Sequence, residues 1–127
     1  MAGKLVHFEV LAQDADRATK FYSGVFGWEF SDSGMPGIDY RMVRTGEDQG
    51  GAVMASDSGK TGLVVYFDTD DIDASVAKVR EAGGDAEDRQ PIPSIGWFSG
   101  CKDTEGNSFS LYQNDESAPM PDGPPQG

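Results

Sequence analysis

The sequence predicts an α+β fold: two βαβββ modules in tandem, forming a curled mixed sheet around a cavity, with the helices outside. Three observations predict it. A shift of 57 residues lays Leu5–Trp28 over Gly62–Asp85, so that a strand-like run, an Asp-rich turn, a helical stretch and a glycine (Gly27, Gly84) recur in one order. Apolar residues alternate with period two in each opening run and return with helical spacing in the stretch after it. Each opening strand also carries a mixed second face, and two modules can cover such faces by curling them around a shared interior.

The first module, about residues 4–58, opens on a strand over Leu5–Leu11. Val6, Phe8 and Val10 share one face; Leu5, His7, Glu9 and Leu11 share the other. Asp14 or Asp16 caps the helix that follows, whose expected buried stripe is Ala18, Phe21, Tyr22 and Val25. Shorter strands are expected at Trp28–Phe30, Asp39–Arg44 and Ala52–Met54. The second module, about residues 61–115, sets Leu63, Val65 and Phe67 against Val64, Tyr66 and Asp68. Asp71 or Asp73 caps its helix, with Val76, Val79 and Ala82 turned inward. Strands are expected at Trp97–Lys102 and Ser108–Gln113, joined by the turn Asp103–Asn107, where Gly106 suits a left-handed position. Residues 1–115 therefore read as one domain of two modules. Residues 116–127, with four prolines and two glycines, bury too little apolar surface to order themselves and read as a flexible tail.

Composition narrows the functional classes. A chain of 127 residues suffices for one core without staples. Ten Lys and Arg against 22 Asp and Glu give a net charge of −12, which repels a phosphate backbone and argues against nucleic-acid binding. Apolar runs such as Leu63–Phe67 are far too short to span a bilayer. The start Met-Ala-Gly-Lys lacks the apolar core of a secretory leader, so a cytoplasmic protein is expected. One Cys and one His exclude an internal disulfide and a Cys/His structural zinc site. Gly46, Gly50 and Gly51 do not open a helix, so no dinucleotide fingerprint is present. The acidic run Asp68–Asp73 lacks the spacing of a calcium loop and serves as a helix cap.

Three segments carry a family resemblance: VHFEVLAQDADRATKFYSGVFGWEF at Val6–Phe30, VVYFDTDDIDASVAKVREAGG at Val64–Gly84, and KDTEGNSFSLYQ at Lys102–Gln113, with IGWF at Ile95–Phe98. Their order and spacing resemble the vicinal oxygen chelate superfamily, which includes glyoxalase I, bleomycin- and fosfomycin-resistance proteins and extradiol dioxygenases. The branch is one related to lactoylglutathione lyase. Thr104 stands where the family's closing motif carries Pro. The resemblance implies metal ligands at four strand positions, which here hold His7, Val53, Val64 and Ser110. Valine has no lone pair to give and a serine hydroxyl is a poor neutral ligand. The usual metal site is therefore expected to be absent. The resemblance also implies a homodimer.

His7 titrates near working pH, and Glu9, two residues on, shares its strand face; together they suit proton transfer or ligand hydrogen bonding. Tyr40, Tyr66, Trp97 and Tyr112 are expected to wall the cavity beside His7, Val53, Val64 and Ser110, giving a surface for planar or apolar molecules. Cys101 neighbours Lys102 and Asp103 at a strand end, and with no local signature of a Cys–His pair it is expected to be inert. The function expected is a glyoxalase/bleomycin-resistance-like protein that binds a small organic molecule without the family's metal. The alternative is a lyase, isomerase or dioxygenase of the same superfamily. That alternative would use a divalent metal on non-standard ligands such as His7, Glu9 and Asp68, or metal-free acid/base chemistry on His7 and Glu9.

Overall fold

A computed structural model describes residues 3–34, 37–56 and 58–120. Nine strands and two helices follow in the order β1 (Leu5–Ala12), α1 (Ala15–Phe26), β2 (Phe30–Asp32), β3 (Tyr40–Arg44), β4 (Gly50–Ala55), β5 (Gly62–Asp68), α2 (Ile72–Glu81), β6 (Asp85–Ala86), β7 (Gln90–Ile92), β8 (Gly96–Lys102) and β9 (Ser108–Asn114). The fold is α+β and made of two βαβββ modules. The described residues fall into two compact units, one within Val6–Val65 and the other running from Tyr66 to Met120 together with Gly3–Leu5.

In the first unit the strand order is β2-β3-β4-β1, with β1 parallel to β4 and the other pairs antiparallel. Asp14 caps α1 by accepting a hydrogen bond from the Arg17 N–H at 3.0 Å. At the far end Gly27 takes a left-handed φ of 73° and donates its N–H to the Ser23 carbonyl, a conformation that spares any Cβ a clash. The helix packs Ala15, Ala18 and Tyr22 onto Ala12, Val53, Val10 and Phe30. The expected stripe is thus rotated: Phe21 and Val25 are 61% and 55% exposed. Tyr22 and Phe26 instead stack on Trp28, which also meets Phe8 and Phe30. That cluster, rather than a strand, occupies Trp28, so β2 begins at Phe30, later than expected.

In the second unit β9 pairs antiparallel with β8, and β6 and β7 both pair antiparallel with β8. The strand after the helix is thus split in two, and neither piece is long enough to have carried an alternating signal. Asp71 caps α2 through the Ala74 N–H at 3.1 Å. Ile72 and Val76 are buried with Cys101 and Leu111, and Val79, Ala86, Trp97 and Phe109 pack around them. Ala82, expected in the buried stripe, is the exposed C-cap, one position past the last helical turn. Gly3 and Lys4 exchange backbone hydrogen bonds with Asp68, both at 2.8 Å, which places the first described residues in this unit. Of the segment 116–127, Ala118 is buried and its carbonyl accepts from the Ser94 N–H; residues 121–127 lie outside the described residues.

Candidate functional site

The pairing of β4 with β1 on one side and with β3 on the other settles which side chains share a face. Glu9 is level with Ala52 and Met42, and Leu11 with Met54 and Tyr40. His7 precedes Glu9 by two residues and lies on the same side. This face turns away from α1, because the intervening residues Val10, Ala12 and Val53 form the helix-facing core. Its polar groups are few: a histidine, a glutamate and the tyrosine that begins β3.

Those three groups touch. The Tyr40 hydroxyl lies 2.6 Å from His7 Nε2 and donates to Glu9 Oε2 at 2.7 Å. The His7 and Tyr40 rings are nearly parallel, 14° apart, with centroids at 6.2 Å. Tyr40 and Glu9 are each only 9% exposed. Two strand spacings separate β3 from β1, about 10 Å, so the tyrosine ring must lean across β4. Ala52, fully buried on the same face of β4 between Met42 and Glu9, is a small residue on that path.

Proton counting fixes the directions. A phenol has one proton, and here it goes to the Glu9 carboxylate; the phenol oxygen then has only lone pairs to offer His7. The imidazole therefore donates from Nε2. Burial lowers the pKa of His7 below its ordinary 6.5, and the negative charge of Glu9 offsets part of that shift. At neutral pH the ring is then the neutral Nε2–H tautomer, with its lone pair on Nδ1. The arrangement holds an imidazole in one orientation and one protonation state. It links that imidazole to a carboxylate through a hydroxyl able to pass a proton either way.

The other expected site residues divide. Val53, 1% exposed, belongs to the α1-facing core and not to the His7 face. The parallel register level with Val10 sets this, and a one-residue difference in register reverses a strand's faces. Trp97 also turns to the helix side, packing against the α2 core. Its indole N–H donates to Asp115 at 3.0 Å, and the Arg89 guanidinium lies 4.1 Å above its ring. Ser110 and Tyr112 sit on the opposite face of β9 from Leu111 and Phe109, which pack against α2. The Tyr112 hydroxyl lies within hydrogen-bonding distance of two acceptors, the Ile95 carbonyl at 3.3 Å and Asn114 Oδ1 at 3.2 Å, while burial and nearby Asp68 raise its pKa. Val64 and Tyr66 project from β5 on the side opposite Phe67, which contacts Phe109. Cys101 is buried, and that burial pushes its thiol pKa up.

The superfamily's metal does not fit these residues. Val53 and Val64 have no donor atom, and His7 directs Nε2 at Tyr40. Among the described residues no group of three or more His, Cys, Asp or Glu is gathered as a metal site. Along α1, Asp16 and Asp39 hold the Arg41 guanidinium at 2.7 and 2.9 Å, beside an open cleft that none of the expected site residues lines. No helix among the described residues is long and apolar enough to cross a membrane.

Known proteins carry the same pattern. The glyoxalase-like domain matches residues 6–112. CFP32 of Mycobacterium tuberculosis (strain CDC 1551 / Oshkosh), named as a candidate glyoxylase, is 34% identical over 117 residues, which cover 87% of this chain and 44% of that protein. The chain thus spans less than half the length of this relative. A glyoxylase-like domain-containing protein of Didymella fabae is 30% identical over 120 residues, covering 86% of this chain and 92% of that one. The solved structure of methylmalonyl-CoA epimerase from Mycobacterium tuberculosis shares the fold, with a TM-score of 0.67 at 19% identity over 89% of this chain and 88% of that one. With its two βαβββ modules and this match over residues 6–112, the chain belongs to the glyoxalase-like domain family of the vicinal oxygen chelate superfamily.

Proposed function

We propose that the chain binds a small organic molecule on the β3-β4-β1 face, held by hydrogen bonds to the His7–Tyr40–Glu9 array and without a metal. The observation that carries this reading is the pair of short contacts at the Tyr40 hydroxyl, 2.6 and 2.7 Å, which fix three polar groups on a face otherwise lined by Leu11, Met42, Ala52 and Met54. A few oriented polar groups on an apolar floor are what recognition of a small molecule requires. A thermal-shift screen of small organic compounds, run in parallel on the native chain and His7→Ala, tests it. Compounds that stabilise the native chain and not the variant are expected. Hits with equal effect on both, or stoichiometric Ni, Zn, Mn or Fe in the purified protein, would overturn it.

A second reading rests on the same hydroxyl. Glu9, Tyr40 and His7 form a proton route that ends on a neutral imidazole, which suits metal-free acid/base catalysis of a lyase or isomerase kind. Incorporation of deuterium from D₂O into small carbonyl compounds, lost in His7→Ala, would distinguish catalysis from binding. A homodimer, which the family resemblance implies, completes the proposal; sedimentation of the purified chain reads its oligomeric state.

A further inference from the structure

A second polar feature lies on the other unit, among residues with no part in the His7 array. Ser110 on β9 is 5% exposed, yet its hydroxyl has no hydrogen-bond partner among the described residues. Buried hydroxyls are nearly always satisfied, so one that is not calls for an explanation. Ser110 is paired across the ladder with Gly100 on β8, and paired positions in an antiparallel ladder project from the same face. Gly100 therefore leaves a gap beside the hydroxyl where any other residue would set a side chain.

The Glu87 carboxylate overhangs that gap. Its Oε1 lies 3.2 Å from the place a Cβ on Gly100 would occupy. The backbone of Glu87 is fixed there from both sides: its N–H donates to the Gly100 carbonyl at 2.9 Å, and its carbonyl accepts from the Ser99 hydroxyl at 2.6 Å. Ser99 is itself 1% exposed and Ala86 pairs with Cys101, so this edge of β8 is firmly built. No hydrogen bond or ion pair among the described residues engages the Glu87 carboxylate. The nearest arginine in sequence, Arg89, pairs with Asp73 and lies over the Trp97 ring, and Arg80 is occupied by the Ala86 carbonyl and Asp88. Lys102, two residues beyond Gly100 on the same face, makes no ion pair with Glu87 among the described residues.

We propose that Ser110, Gly100 and Glu87 form a ligand subsite that receives the ammonium group of an organic amine. A carboxylate only accepts hydrogen bonds, and a serine hydroxyl accepts two besides donating one, so a group with several donors can satisfy both at once; an ammonium brings three and a compensating charge. Gly100 sets no side chain on that face, and the carboxylate of the exposed Glu87 stands over it. The net charge of −12 draws cations to the protein at long range. A bridging water would satisfy the same atoms, but it would not select a charged amine.

Titration of the ¹⁵N-labelled full chain with benzylammonium tests the proposal, with benzyltrimethylammonium and benzyl alcohol as probes lacking the N–H donors and the charge. Saturable shifts of the Gly100, Ser110 and Glu87 amides are expected with benzylammonium alone. Glu87→Gln is expected to weaken binding about tenfold and Ser110→Ala roughly threefold, as losses of a charge-assisted and a neutral hydrogen bond. Ser110→Ala carries a second readout: removing an unsatisfied buried hydroxyl leaves the melting temperature unchanged or raises it, whereas a structural hydroxyl would lower it. Absence of saturable shifts, equal shifts with the trimethylated probe, native affinity in either variant, or a destabilised Ser110→Ala would each overturn the assignment.

Discussion

Replacing Tyr40 by Phe removes one oxygen atom and keeps the ring, so it isolates the hydroxyl from packing. The hydroxyl makes two hydrogen bonds, at 2.7 Å to a carboxylate and 2.6 Å to an imidazole. A hydrogen bond to a charged group contributes about 1.5–3 kcal/mol and a neutral one about 0.5–1.5 kcal/mol. Glu9 and His7 share a strand face and can turn toward one another, recovering part of that sum. A net loss of about 2 kcal/mol is expected, measured as a lower urea midpoint at unchanged slope. The same variant brings the imidazole under the direct influence of Glu9, so its pKa should rise. The chain has a single histidine, so its ring protons in an NMR titration report His7 without assignment. A stability loss below about 0.5 kcal/mol together with an unmoved histidine titration would refute the bridging role of Tyr40.

Other expectations follow from the same geometry. Because burial lowers the pKa of His7 in the folded chain, the unfolded chain binds the proton more readily, and stability should fall as pH drops below 6.5. His7→Gln should flatten that part of the profile, read by urea unfolding between about pH 7.5 and about pH 5. The lowered carboxyls of Asp39, Asp103 and Asp115 act in a separate window, losing their contribution only as pH falls below their ordinary 3.8. A Cβ at Gly51 would meet the Phe8 ring at 2.5 Å, so Gly51→Ala should cost about 1–3 kcal/mol. Gly46→Ala, whose Cβ meets only Gln49 at 3.8 Å, should change stability by less than about 0.5 kcal/mol. Asp71→Ala should cost about 1 kcal/mol by uncapping α2, and Asp71→Asn should restore most of it, both read by thermal denaturation.

Alternation alone reveals that His7 and Glu9 share a face, since a period of two needs no partner strand. The bridging role of Tyr40 is a different matter. It depends on β4 lying between β3 and β1 and on Ala52 being small, facts of strand order that no local pattern encodes. Val53 and Trp97 were expected beside His7 and instead face the helices. A strand buried on both sides, such as GAVM, carries no alternation to reveal its faces, and only pairing with β1 decides them. Both helix caps are legible because an Asp before an apolar run has a local physical role. The exposure of Phe21 and Val25 is not, because aromatic contacts with Trp28 set the rotation of α1. Glu87 escaped notice for a related reason: its neighbours β6 and β7 are two- and three-residue strands defined by what they pair with.

The two hydrogen bonds between Gly3–Lys4 and Asp68 tie a short extended segment to the far end of β5, about sixty positions away in sequence. A deletion that removes residues 3 and 4 would therefore leave the Asp68 N–H and carbonyl without their backbone partners, so a change at one end of the described residues would be felt where β5 hands over to α2.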